Sequence, residues 1–137
     1  MKSRFIVIAA GTGLLALLSL SCGAAPEQIR QALEAEARNT AGFPGFSAER
    51  GRQFFQSKHG AEWSCSTCHT DNPTVTGRHA RTSKDIAPLA PSANAERFSD
   101  AAKVEKWFRR NCNDVVGRLC SAQEKGDVLT YLMSLKK

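Results

Sequence analysis

The chain has 137 residues, room for one small domain and no more. Its 19 Lys+Arg against 13 Asp+Glu give a formal charge of +6. No basic run is interleaved with aromatics and no nucleic-acid motif appears, so the charge points away from nucleic acid and toward an acidic protein partner.

Lys2 and Arg4 precede an apolar run from Phe5 to Leu20, followed by small residues from Ser21 to Ala25. A basic start, apolar middle and small-residue end make residues 1–25 a secretory signal, with cleavage expected near Ala24 or Ala25 and residues 26–137 as the mature domain. Two alternatives stay open. Cys22 is the lipid-bearing cysteine if cleavage falls after Ser21, although Ser19 stands where such sites usually want Leu. The run stays as an anchor if uncleaved, but it is short and carries Gly11 and Gly13. Without Lys2 and Arg4, 17 basic residues face 13 acidic ones, a formal +4.

Pro26 to Arg38 reads as a helix, with proline at the first position, where its missing N–H costs nothing. Ile29, Leu33 and Ala37 form a narrow stripe suited to packing on the outside of a domain. Residues 39–46 hold two Gly and a Pro and read as a connector. Ser47 is the N-cap of a second helix running to about Lys58, with Glu49 favourable in its first turn. Gly51 costs this helix about 1 kcal/mol relative to alanine, which implies close crossing by another helix. His59 and Gly60 end it, His59 as a solvent-facing residue near the helix dipole.

Cys65-Ser66-Thr67-Cys68-His69 follows. Two thiols two residues apart reach the two vinyl groups of a porphyrin, and the adjoining histidine falls under the iron as proximal ligand. A redox dithiol or half a zinc site is the competing reading. The first wants a βαβ pattern and the second another Cys-x-x-Cys, and neither is present. Export agrees with c-type haem, which is attached outside the cytoplasm. A buried haem also adds apolar surface to a chain with only seven Phe, two Trp and one Tyr.

Residues 70–98 hold three Pro, many Ser and Thr and no clear period, a long loop suited to wrapping a cofactor. The Pro88 carbonyl is the candidate acceptor for the second ring N–H of His69. Arg78, Arg81 and Lys84 are candidates for pairing with haem propionates, against the plainer reading of a solvated basic loop. Ser99 is the expected cap of a third helix, from Asp100 to about Asn111. Val104, Trp107, Phe108 and Asn111 share one of its faces. Asn111 there either bonds local carbonyls at a helix end or points at the sixth position of the iron, and as a buried amide it must be satisfied. Cys112 and Cys120, spare cysteines in an exported chain, are expected to pair and close a short loop, worth about 2–3 kcal/mol. Ser121 to Glu124 is a capping box that opens a last helix through Leu135, with Val128, Tyr131, Leu132 and Leu135 buried against the Gly51 helix.

These features together resemble an all-α class I cytochrome c, with helices packed around one covalently bound haem c. The methionine ligand usual in that class has no clear counterpart: Met1 lies in the leader and Met133 inside the last helix. The run Arg81 to Ser92, then Arg97-Phe98, Val104 to Trp107, Arg110 to Asn113 and Glu124-Lys125 resemble the SHP family ("sphaeroides haem protein") over the mature chain. That resemblance implies a periplasmic monohaem cytochrome with Asn111 as distal iron ligand and a Cys112–Cys120 disulfide. It further implies a dihaem cytochrome c or membrane cytochrome b as electron donor, and oxygen or nitric oxide bound after reduction. Turnover, as a terminal oxidoreductase acting on oxygen, peroxide or nitric oxide, is left open. His79 is not expected at its position in the family, which keeps a bis-histidine electron carrier as the rival, beside His69 with Met133.

Overall fold

A computed structural model describes residues 25–60 and 62–137; the expected leader, with Cys22, lies outside the described residues except for Ala25. Among the described residues there are five helices and one two-residue ladder. Helix α1 (Pro26–Ala37) begins on its proline and buries Ile29, Leu33 and Ala37, the expected stripe. Its outer side is laced by Arg30 with Glu27 and Glu34. Helix α2 (Ala48–Gln56) is capped by Ser47, which accepts from the Arg50 N–H. It stops two residues short of Lys58, because the Ser57 hydroxyl turns back onto the Gln53 carbonyl and His59 and Gly60 take positive φ.

Helix α3 (Cys65–His69) is a single turn. The segment after it is irregular, as expected, apart from an antiparallel pairing of β1 (Gly77–Arg78) with β2 (Asp85–Ile86). Helix α4 (Ala101–Val116) differs from expectation at both ends. Asp100 rather than Ser99 caps it, accepting from the Lys103 N–H, while the Ser99 hydroxyl donates to the Glu96 carbonyl. It continues past Asn111 for five residues, since nothing in Cys112 to Val116 breaks a helix, and ends where Gly117 adopts φ +75°. Helix α5 (Ala122–Ser134) opens on the Ser121–Glu124 capping box.

The core lies between α5 and two partners. Against α2, α5 buries Phe55, Val128, Tyr131 and Leu132; against α1, it buries Ile29, Leu33 and Leu129. Gly51 is the reason α2 and α5 approach so closely: a Cβ there would collide with the Asp127 carbonyl. The crossing is pinned by Asp127, only 4% exposed, which accepts from the Ser47 N–H (2.6 Å) and from Arg50 Nε and Nη2 (2.9 Å each). Helix α4 is held otherwise. Phe108 and Val104 reach the two clusters at their edges, Glu105 pairs with Lys125 of α5, and Cys112 meets Cys120. Between α4 and the rest of the fold lies a large cavity.

Candidate functional site

Ser64 and Thr67 cap α3 reciprocally, the Ser64 hydroxyl accepting from the Thr67 N–H and Thr67 Oγ1 accepting from the Ser64 N–H. This fixes the turn in which Cys65, Cys68 and His69, spaced three and four residues apart, fall on one face. All three border a cavity of about 730 Å³, within the range of roughly 300–1,000 Å³ typical of ligand and cofactor sites. Burial pushes the Cys65 thiol up to about 11, and neither Cys65 nor Cys68 is disulfide-bonded. Burial, reinforced by the nearby Arg97 charge, lowers the His69 imidazole to about 4. The ring is therefore neutral at ordinary pH, the form in which histidine binds a metal. The Phe55 ring stands 6.3 Å from it, centroid to centroid.

The opposing wall is α4. Val104, Trp107, Phe108 and Asn111 all border the cavity, so the predicted face of that helix is the face that lines the site. Asn111 borders the cavity rather than the packed clusters of the core. The Cys112 and Cys120 sulfurs are 2.00 Å apart with Cα atoms at 5.7 Å, and both residues border the same cavity. Beside them Arg118 grips Glu124 through Nη1 (2.8 Å) and Nη2 (2.6 Å), bracing the connection into α5.

The expected role of the Pro88 carbonyl is corrected: it accepts from Arg97 Nε (2.9 Å) and Asn94 Nδ2 (3.3 Å), not from the His69 ring. Pro88 and the Ala87 carbonyl, which takes Arg97 Nη2 (2.7 Å), thus form the seat of a guanidinium that borders the cavity. In the sequence Arg97 stands out only as part of the family pattern, and its role as a half-buried cation has no signal in spacing or composition. Trp63 carries no such signal either. It borders the cavity with Arg81 stacked 4.5 Å over its ring. Of the basic loop residues, the structure brings Arg81 to the site but not Lys84 or Arg78, which pairs with Asp85 at 3.5 Å. Met133 packs on the Ile29–Leu33–Leu129 cluster, away from the cavity, which removes it as a ligand. His59 is half-buried rather than solvent-facing: Nε2 lies 2.7 Å from the Phe54 carbonyl at the end of α2, and the ring is stacked on Phe54. Among the described residues no three His, Cys, Asp or Glu side chains gather as a metal cluster, so the zinc reading has no site there.

The donor set fits a covalent haem: two free thiols and a neutral imidazole on one face, an amide across the cavity wall, aromatic sides and cations at the border. These features define a monohaem c-type cytochrome of all-α fold, carrying one covalently bound haem c. A family described as a domain of unknown function, DUF1924, matches residues 41–132. The cytochrome c-type protein SHP of Cereibacter sphaeroides is 44% identical over 134 residues, covering 95% of this chain and 97% of that protein. The solved structure of oxidised SHP, described as an oxygen-binding cytochrome c, matches with a TM-score of 0.71 at 46% identity, over 80% of this chain and 96% of its own. Oxidised cytochrome c'' of Methylophilus methylotrophus matches with a TM-score of 0.72 at 34% identity, over 82% of this chain and 95% of its own. The chain belongs to the SHP family of c-type cytochromes.

Proposed function

We propose that this chain is an exported, periplasmic cytochrome that accepts electrons from a redox partner and binds a diatomic ligand, oxygen or nitric oxide, at the position Asn111 gives up on reduction. In this reading Cys65 and Cys68 carry the haem by thioether bonds, His69 is its proximal ligand and Asn111 its distal one. The observation that supports it is the place of Asn111. It stands at the end of the Val104–Trp107–Phe108 face, on the cavity that Cys65, Cys68 and His69 share. When bound, the haem supplies one-electron chemistry and an iron with an exchangeable sixth position. Asn111 offers a neutral amide, a hard and weak donor that favours ferric over ferrous iron and lets go more readily after reduction. SHP of C. sphaeroides is described as oxygen-binding, and haem-ligand detachment is described for cytochrome c'' of M. methylotrophus; we extend both properties to this chain.

The family resemblance supplies the donor in this proposal, a dihaem cytochrome c or a membrane cytochrome b. The basic charge favours an acidic partner. No helix among the described residues is long and apolar enough to cross a membrane. Any membrane attachment in this reading goes through the leader or a lipidated Cys22.

The visible spectrum in three states tests the proposal: ferric, ferrous, and ferrous with carbon monoxide. The expected result is a low-spin ferric form, a high-spin ferrous form and a full shift on adding the gas. A ferrous form that stays low-spin and ignores carbon monoxide makes the plain electron carrier the better description.

A further inference from the structure

His79 directly follows β1, at the base of the loop that joins β1 to β2, and borders the cavity. Its backbone is fixed on both sides: the His79 N–H donates to the Lys84 carbonyl and the Ser83 N–H to the His79 carbonyl, each at 2.8 Å. The hairpin is itself clamped to α3. Gly77 lies so close to the Cys68 carbonyl that a Cβ would collide with it, and the Ala80 N–H donates to Cys68 Sγ at 3.4 Å. Inside the turn, the Arg81 and Thr82 N–H groups both donate to His79 Nδ1, at 3.3 Å each. A ring nitrogen that accepts carries no proton, so the neutral imidazole holds its proton on Nε2. Nε2 has no protein hydrogen bond among the described residues, and His79 borders the haem cavity.

This arrangement has two consequences. In this tautomer Nε2 carries a proton and has no lone pair free for iron. What it offers the cavity is a fixed N–H donor. The acceptors a haem brings are its two propionate carboxylates. Asp85 also borders the cavity, but it is engaged with Arg78. Arg81, held over the Trp63 ring beside His79, supplies a positive charge at the same border. We propose that the His79 turn is a carboxylate-binding device. His79 Nε2–H donates to one haem propionate with Arg81 as its countercharge, and this contact raises the reduction potential by offsetting negative charge near the iron.

The inference needs the covalent haem but not gas binding by the iron. Nitrogen-15 histidine NMR of the intact, reduced protein under carbon monoxide reads it directly. That form is low-spin and diamagnetic whether the gas or a side chain holds the sixth position. The expected result is the Nε2–H form of His79 with its imidazole proton protected from exchange. Redox titration of holoprotein variants gives an independent readout: His79→Leu should lower the reduction potential, and His79→Gln, which keeps a donor at similar reach, should restore most of it. An Nδ1–H form, a freely exchanging Nε2–H, or a His79→Leu protein with wild-type potential overturns the proposal. The first measurement needs no variant, so a poorly folding His79→Leu protein does not shield the idea.

Discussion

Lys125 Nζ lies 2.7 Å from Glu105 Oε2, and this ion pair ties α5 to the middle of α4. Lys125 is 9% exposed and Glu105 half-exposed, so the two ends of the bond differ. Glu105→Ala leaves a nearly buried ammonium without its partner. It should cost about 1–3 kcal/mol, less than a fully buried pair because water reaches the site. Lys125→Met keeps the packing of the alkyl stem and should cost less. Denaturant unfolding of both variants checks this, and equal losses would show that charge burial is not what distinguishes them.

Gly51 should be the most sensitive single position of the core. Alanine there sets a Cβ against the backbone of Asp127 and Val128, which cannot rotate away as a side chain can. Overpacking commonly costs about 1–3 kcal/mol, and a backbone collision belongs at or beyond the top of that range. Thermal unfolding of Gly51→Ala with haem attached measures it. A variant within about 0.5 kcal/mol of wild type, inside the range of neutral surface changes, would mean α2 and α5 can part without penalty.

Acid should loosen the turn that leads from the Cys112–Cys120 bridge into α5. Hydrogen bonding to Arg118 holds the Glu124 carboxyl below the usual carboxylate range, and the Ser121 N–H adds to that. A lowered folded value means the contribution is fully present above the unfolded pKa, about 4.3, and is lost as pH falls through the folded value. Arg118→Ala should flatten that part of the stability–pH curve below about pH 4.3 and leave α5 otherwise intact. Unfolding midpoints of both proteins between about pH 3 and pH 7 carry the comparison, and parallel curves would sink the assignment.

The sequence shows the site at the places where chemistry dictates spacing. Cys65, Cys68 and His69 need one helical turn, the Val104–Trp107–Phe108–Asn111 face needs a helical period, and Gly51 needs a close crossing. Each is a local rule, and the structure places these residues as those rules require. What stayed hidden depends on partners far apart in the chain. Nothing near Pro88 announces that Arg97 takes its carbonyl, and nothing near Trp63 announces Arg81. The end of α4 also lies beyond the sequence pattern, because Cys112 to Val116 continue the helix to Gly117.

Asn111 is where the proposed function is most open to test. It borders the cavity immediately before Cys112, so the bridge to Cys120 fixes the helix that presents it. Asn111→Ala removes the amide and leaves the cavity walls Val104, Trp107 and Phe108 in place. The ferric protein should then turn high-spin or water-bound, while carbon monoxide still binds the ferrous form. Asn111→His sets a stronger donor at the same place. It should stay bound through reduction and slow gas binding by a factor of ten or more, equivalent to about 1.4 kcal/mol of added barrier. Ferric spectra and stopped-flow mixing with carbon monoxide measure both variants. His79→Ala and Met133→Ala are the controls: His79 has its Nδ1 committed to the turn and Met133 lies in the α1–α5 cluster, so neither should open the ferric iron. If either control opens it while Asn111→Ala changes nothing, the distal assignment moves to that residue and the chain becomes an electron carrier with two strong ligands.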